Sequence, residues 1–129
     1  MKIRSFRLLM MLGLIFSSVS VQAKQAPDIF LLSEIWDFGE VQSGEIAEHG
    51  FVIKNTGNAV LMITSLTPSC SCTQAVMKES QILPGKEAEL KVTLDTTGKS
   101  GEYLSLVMIV SNDPDEPVKR VKVRAKIKK

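Results

Sequence analysis

Glu87-Ala88-Glu89-Leu90-Lys91-Val92-Thr93-Leu94, residues 87–94, alternates polar and apolar side chains without a break. Successive side chains of an extended strand point to opposite faces, so Ala88, Leu90, Val92 and Leu94 share one face and the polar residues share the other. A strand with one buried face and one wet face belongs to an antiparallel sheet packed on one side. Val121, Val123, Ala125 and Ile127 alternate with Arg120, Lys122, Arg124 and Lys126 in the same way. Working outward, Phe51 and Ile53 mark an earlier strand that stops at Asn55-Thr56-Gly57-Asn58, a turn rich in residues that tolerate positive φ. Leu61, Met62 and Ile63 open the next strand. Further breaks fall at Pro84-Gly85, Thr97-Gly98, Gly101 and Asn112-Asp113-Pro114. Helical periodicity is nearly absent, and short strands at this spacing predict an all-β sandwich or barrel of about seven strands. Residues 26–32 supply a leading edge strand, which Pro27 keeps at the periphery.

At the N-terminus Lys2, Arg4 and Arg7 precede the apolar run 8–16, and small and polar residues follow it, ending in Val21-Gln22-Ala23. That order is the pattern of a secretory signal peptide over residues 1–23, cut after Ala23. The apolar run is short for a hydrocarbon core, which argues against the alternative of an uncleaved anchor. No cysteine follows the run, so lipid attachment at a processed N-terminal cysteine has no support. The expected mature chain, residues 24–129, is periplasmic or secreted, has no transmembrane span, and is long enough for one domain with a modest core.

The full chain carries a formal net charge of +2. Three cations leave with the signal while every acidic residue stays, so the mature chain is near neutral. Seven of its 13 remaining cations crowd the end, at Lys119, Arg120, Lys122, Arg124, Lys126, Lys128 and Lys129. No aromatic residues are interleaved with them, so a solvated strand face is expected there and nucleic acid is not an expected partner.

Trp36-Asp37-Phe38-Gly39-Glu40-Val41, Gly44-Glu45, and Phe51 with Lys54-Asn55-Thr56-Gly57-Asn58 resemble the opening of the bacterial domain-of-unknown-function family 1573. Leu61, Ile63, Pro68-Ser69-Cys70-Ser71-Cys72-Thr73, Pro84-Gly85, Gly101 and Ser111-Asn112-Asp113-Pro114 continue the resemblance in order, over nearly all of the mature chain. It implies an immunoglobulin-like antiparallel β-sandwich related to Hydin and major-sperm-protein-like domains, which are chiefly protein-binding or scaffolding modules. No enzyme activity is implied. The family usually shows Ser-Cys-Gly-Cys-Thr, whereas Ser71 holds the middle position here. If that glycine takes positive φ, either the loop differs in this chain or its conformation accepts a side chain.

Cys70 and Cys72 are the only cysteines, in a chain expected to reach an oxidising compartment. Three readings stay open. In an extended strand their α-carbons lie near the upper limit for bridging, which makes a disulfide strained and easily reduced. Two thiolates also suit monovalent copper, with a thioether from Met62 or Met77, whereas zinc wants four ligands and only His49 remains as an obvious extra. The third reading is a structural strand-end loop without turnover. His49, the only histidine, shares the face of Phe51 and is expected to be partly buried and structural. No nucleophile–histidine–carboxylate signature or phosphate-binding glycine cluster is present, so no catalytic residue is expected.

The segment 103–110 gives a different signal. Placing Tyr103, Val107 and Ile109 inward leaves Leu104, Leu106, Met108 and Val110 outward, where other strands carry polar residues. In an immunoglobulin-like order this strand lies beside Lys122 and Arg124, giving an apolar stripe flanked by positive charge: a candidate face for a protein partner or for self-association. The competing reading is a strand buried on both faces, covered by Phe30-Leu31-Leu32.

Overall fold

The computed structural model describes Gly13, Ile15, Ser18 and residues 25–129. The signal peptide expected over residues 1–23, and its cut after Ala23, therefore lie outside the described residues, those three positions apart. Among the described residues no helix is long and apolar enough to cross a membrane.

Nine strands form among the described residues: β1 (Ile29–Leu31), β2 (Ile35–Gln42), β3 (Ile46–Asn55), β4 (Leu61–Pro68), β5 (Thr73–Met77), β6 (Gln81–Ile82), β7 (Glu87–Asp95), β8 (Gly101–Ser111) and β9 (Val118–Lys128). They make a four-stranded sheet ordered β1-β3-β7-β5 and a five-stranded sheet ordered β2-β9-β8-β4-β6. The all-β sandwich is as the alternation predicts, and its pairings are antiparallel as expected except that β2 runs parallel to β9. Its strand count exceeds seven because two elements, β1 and β6, are only three and two residues long and patch sheet edges. The leading segment that begins at Ala26 does form an edge strand, shortened to Ile29–Leu31 and paired with β3.

Period-two patterning decides which atoms meet between the sheets. Phe51 and Ile53 of β3 and Leu90 and Val92 of β7 face Leu61 of β4, Val107 and Ile109 of β8, and Val121 and Val123 of β9, all at most 1 % exposed. A second, smaller cluster at one end joins Val41, Leu94, Ala125 and Ile127, with Phe38, Ala47, Cys72 and Tyr103 packed against it. Each buried branched or aromatic side chain contributes roughly 1.5–3 kcal/mol by leaving water, and these rows hold the two layers together.

The turn at Asn55-Thr56-Gly57-Asn58 works by a different device from the positive φ its composition suggested. Among the described residues only glycines take positive φ, and Gly57 is not one of them. Instead the Asn55 side chain, fully buried, donates to the carbonyls of Ala59 (2.7 Å) and Ile82 (2.9 Å) and accepts from the N–H groups of Asp28 (3.2 Å) and Gly57 (3.0 Å). Gly57 is there for space, since a β-carbon would sit 2.6 Å from the Asp28 nitrogen. The buried Asp113 carboxylate plays a similar part, accepting from Ile29 N–H (2.8 Å), Asp115 N–H (2.8 Å) and Glu116 N–H (3.1 Å) and tying β1 to the β8–β9 turn. Burial pushes its pKa up, but those three backbone donors, together with the Asp28 side chain, outweigh it and hold the carboxyl below the usual aspartate value.

Candidate functional site

β4 lies in one sheet and β5 in the other, so residues 69–72 carry the chain across the sandwich. Cys70 and Cys72 are bridged at that corner, with α-carbons 5.2 Å apart. The premise of a pair stretched along an extended strand does not hold. Thr73 N–H donates to the Cys70 carbonyl at 3.1 Å, which folds the segment into a turn and brings the α-carbons well inside bridging range. Ser71 is exposed and does not take positive φ, so this turn accepts a side chain where the family usually has glycine.

Each sulfur has a hydrogen-bond donor. Cys72 N–H reaches Cys70 Sγ at 3.2 Å, and the Tyr103 hydroxyl lies 2.7 Å from Cys72 Sγ. A bridged sulfur carries no proton, so the phenol donates. Burial pushes the Tyr103 pKa up and keeps the group a donor, and Lys99 Nζ lies 5.2 Å from its ring centroid. Behind the bridge, Thr73 Oγ1 donates to Ser105 Oγ at 2.9 Å, both residues being buried. Ser69 N–H donates to the Leu106 carbonyl at 2.7 Å, and Leu106 N–H donates to Ser69 Oγ at 3.0 Å. Ser105 and the sulfur contact of Tyr103 escaped the sequence reading. The signal was there in parity: Ser105 falls on the inward face set by Tyr103, Val107 and Ile109, and an inward serine needs a partner.

The other sequence candidates do not converge on this corner. Met62 lies at the opposite end of β4, about 20 Å of extended strand from Pro68, and Met77 ends β5 away from Cys72. His49 pairs across β3–β7 with Val92, whose partner on β5 is Ala75, so β7 stands between the imidazole and the cysteine strand. Its ring stacks on Trp36, with centroids 3.9 Å apart and planes 5° apart, and meets Phe51 edge-on at 4.8 Å. Desolvation lowers its pKa, against the pull of the Glu89 carboxylate. That is the partly buried histidine expected from its place two residues before Phe51. Among the described residues no group of three or more His, Cys, Asp or Glu is placed to hold a metal ion.

The apolar stripe lies on the outer face of the five-stranded sheet. Inward positions of β8 are buried at Ser105, Val107 and Ile109, and Leu104 stands outward with 56 % of its surface exposed. Leu106, Met108 and Val110 point the same way but are half-buried between their neighbours. Pairing with β9 sets Leu104 beside Arg124, Leu106 beside Lys122 and Met108 beside Arg120, while Ser65 and Thr67 of β4 border the other side. The segment containing Phe30, Leu31 and Leu32 cannot cover this face, because β1 belongs to the opposite sheet. Lys119 and Lys128 of β9 pair with Glu116 (2.7 Å) and Glu40 (3.0 Å). Among the described residues no carboxylate lies within ion-pairing distance of Lys122 or Arg124. Ile35, Leu104, Lys122 and Arg124 share an open hollow of about 700 Å³, with Asp37, Glu40 and Glu102 also on its lining.

Solved structures resemble this sandwich. A protein of unknown function from Porphyromonas gingivalis W83 is 28 % identical with a TM-score of 0.72, over 83 % of this chain and 50 % of its own. The present chain thus spans half the length of that protein. The ASH/PapD-like domain 7 of human CEP192 aligns at a TM-score of 0.67 and 11 % identity, over 85 % of this chain and 92 % of its own. The periplasmic chaperone SfaE aligns at 0.55 and 15 % identity, over 79 % and 59 %. At such identities the last two establish the fold alone. A search of curated proteins finds no match. The model of the family described as proteins of unknown function, DUF1573, matches residues 30–127, and the chain belongs to that family.

Proposed function

We propose that the chain is an exported, non-enzymatic protein-binding module that takes its partner on the outer face of the five-stranded sheet. One observation carries this reading: Leu104, more than half exposed, heads a row of four outward apolar residues beside Lys122 and Arg124, which among the described residues have no carboxylate in ion-pairing distance. An apolar row gains by leaving water, and unpaired cations at its rim favour one class of occupant: an apolar segment of another protein bordered by acidic side chains. That some carriers of the fold, such as the chaperone SfaE, act on other proteins supports the reading at the level of fold.

The test is affinity capture from the native envelope extract with the mature chain, with Leu104→Lys and with Lys122→Glu/Arg124→Glu, followed by direct titration of the protein identified. An acidic protein bound by the wild type, weakened by both variants and by added salt, is the expected result. A captured protein that binds all three forms equally would place the interface elsewhere. A concentration-dependent dimer abolished by Leu104→Lys would replace the acidic partner with a second copy.

A further inference from the structure

We propose that the Cys70–Cys72 bridge is a thiol–disulfide exchange site for a dithiol partner, with Cys70 the sulfur attacked, Cys72 the leaving group and Tyr103 the positioning residue that receives the departing charge. Three observations converge on it. First, a bridge over one intervening residue closes so short a loop that it restricts the unfolded chain little, so its contribution to global stability is small. Second, the corner is tied by bonds that do not run through either sulfur: Thr73 N–H to Cys70 O, Asp95 N–H to Cys72 O at 2.9 Å, the pair of bonds between Ser69 and Leu106, and Thr73 to Ser105. The dithiol form therefore keeps its sulfurs placed to close again. Third, both sulfurs already have donors, Cys72 N–H on Cys70 and the Tyr103 hydroxyl on Cys72. A donor aimed at a neutral bridged sulfur gains little, whereas the same donor on a thiolate makes a charge-assisted bond.

The phenol on Cys72 sets the direction of exchange. Cys72 packs against the cluster of Val41, Leu94, Ala125 and Ile127, and its sulfur has the phenol. A partner thiolate attacks Cys70 Sγ. A bond forms between those two sulfurs while the Cys70–Cys72 bond breaks, and its electron pair leaves on Cys72 as a thiolate that accepts the Tyr103 hydrogen bond. The partner's second thiol, once deprotonated, attacks its own sulfur in the mixed disulfide and releases Cys70, which takes up the proton. Two electrons have moved: the partner's dithiol is oxidised to a disulfide, Cys70 is reduced to a thiol, and Cys72 is reduced to the thiolate that Tyr103 holds.

The experiment equilibrates the folded mature chain in glutathione redox buffers and reads the dithiol fraction by alkylation and mass, with circular dichroism alongside. Wild type is expected to reach a mixture of both forms at millimolar glutathione with its fold intact. Tyr103→Phe, which keeps the ring and removes only the donor, should shift the equilibrium about tenfold toward the disulfide, about 30 mV for this two-electron couple. Cys70→Ser/Cys72→Ser serves as the fold control and should give an unchanged spectrum. Two results overturn the proposal: a pair that glutathione reduces only after the domain is unfolded in urea, or a Tyr103→Phe equilibrium identical to wild type.

Discussion

Asn55→Ala tests the claim that a buried amide, and not turn propensity, fastens one end of this sandwich. The side chain is 0 % exposed and makes four hydrogen bonds, to groups that precede β1, sit in the following turn, lead into β4 and belong to β6. Truncation leaves two carbonyls and two N–H groups without their partner. The bond to Ile82 is wholly buried, so its orphaned carbonyl costs about 1–2 kcal/mol, while the three part-buried bonds, which water can partly replace, cost about 0.5 kcal/mol each. The sum, about 3 kcal/mol, is a large share of the stability of a domain this size. With a urea slope of about 1.5 kcal/mol per molar, the unfolding midpoint should fall by about 2 M. Asn55→Asp keeps both acceptor contacts but turns a carboxylate toward the two carbonyls, and should cost at least as much. A midpoint shift below about 0.5 M for Asn55→Ala, at an unchanged slope, would refute the reasoning and mean that water replaces the amide at little cost.

Other measurements check separate links. The pKa of His49 is lowered on folding, so the unfolded state binds more protons at acidic pH: its contribution to stability is full above about 6.5 and is lost as pH falls through the folded value. Because Trp36 is the only tryptophan and stacks on the only histidine, its fluorescence should titrate with a midpoint below about 6.5, and a midpoint above that value would contradict the burial of the imidazole. Gly57→Ala should destabilise by about 2 kcal/mol or more in a thermal scan, since the new β-carbon meets the backbone of residues 26–28; an unchanged transition would show that this segment moves aside without cost. The envelope form should begin at Lys24 when sequenced from its N-terminus, and Met1 found intact would refute the cleavage.

Which parts of the sandwich could be read from the chain depended on whether one residue type meant one thing. β7 and β9 were legible because alternation has a single structural meaning, and their inward rows are the core. β6 left no trace, since two residues contain no period; it exists because Ile82 fills a gap in the core and pairs with Leu61. The parallel pairing of β2 with β9 was equally invisible. Parallel neighbours are set by the path of the whole chain, and the register shift between Asp37 and Glu40, where Gly39 takes φ 71° with its N–H on the Asp37 carboxylate, reads from sequence as any tight turn. The outward stripe on β8 was legible as parity, but its uneven exposure was not: Leu104 stands clear while Leu106, Met108 and Val110 are partly covered by side chains of β4 and β9, whose lengths only pairing reveals. Cys70 and Cys72 were conspicuous as residues and misplaced as geometry, because a chain that changes sheets must turn there, and a change of sheet is a tertiary fact.

The two proposed sites share one strand, which bears on whether they are coupled. Tyr103 points inward to the Cys72 sulfur and its neighbour Leu104 points outward to the stripe, so opening the bridge could be transmitted to the binding face through a single peptide unit. The hydrogen bonds argue against transmission. β8 is fixed by a continuous register with β9 from Gly101 to Val110, and by the Ser69–Leu106 pair on its other side, none of which passes through a sulfur. Opening the bridge removes one covalent tie at the corner and leaves the ladder that sets where Leu104 and Leu106 stand. A ligand shifts an equilibrium only by its differential affinity for two states, and the ladder that sets the proposed binding face does not depend on the bridge. Partner affinity measured on the disulfide form and on the glutathione-reduced form should therefore agree within about twofold, less than about 0.5 kcal/mol. A tenfold difference would mean that the corner moves on reduction and carries β8 with it, which would make the bridge a switch for binding.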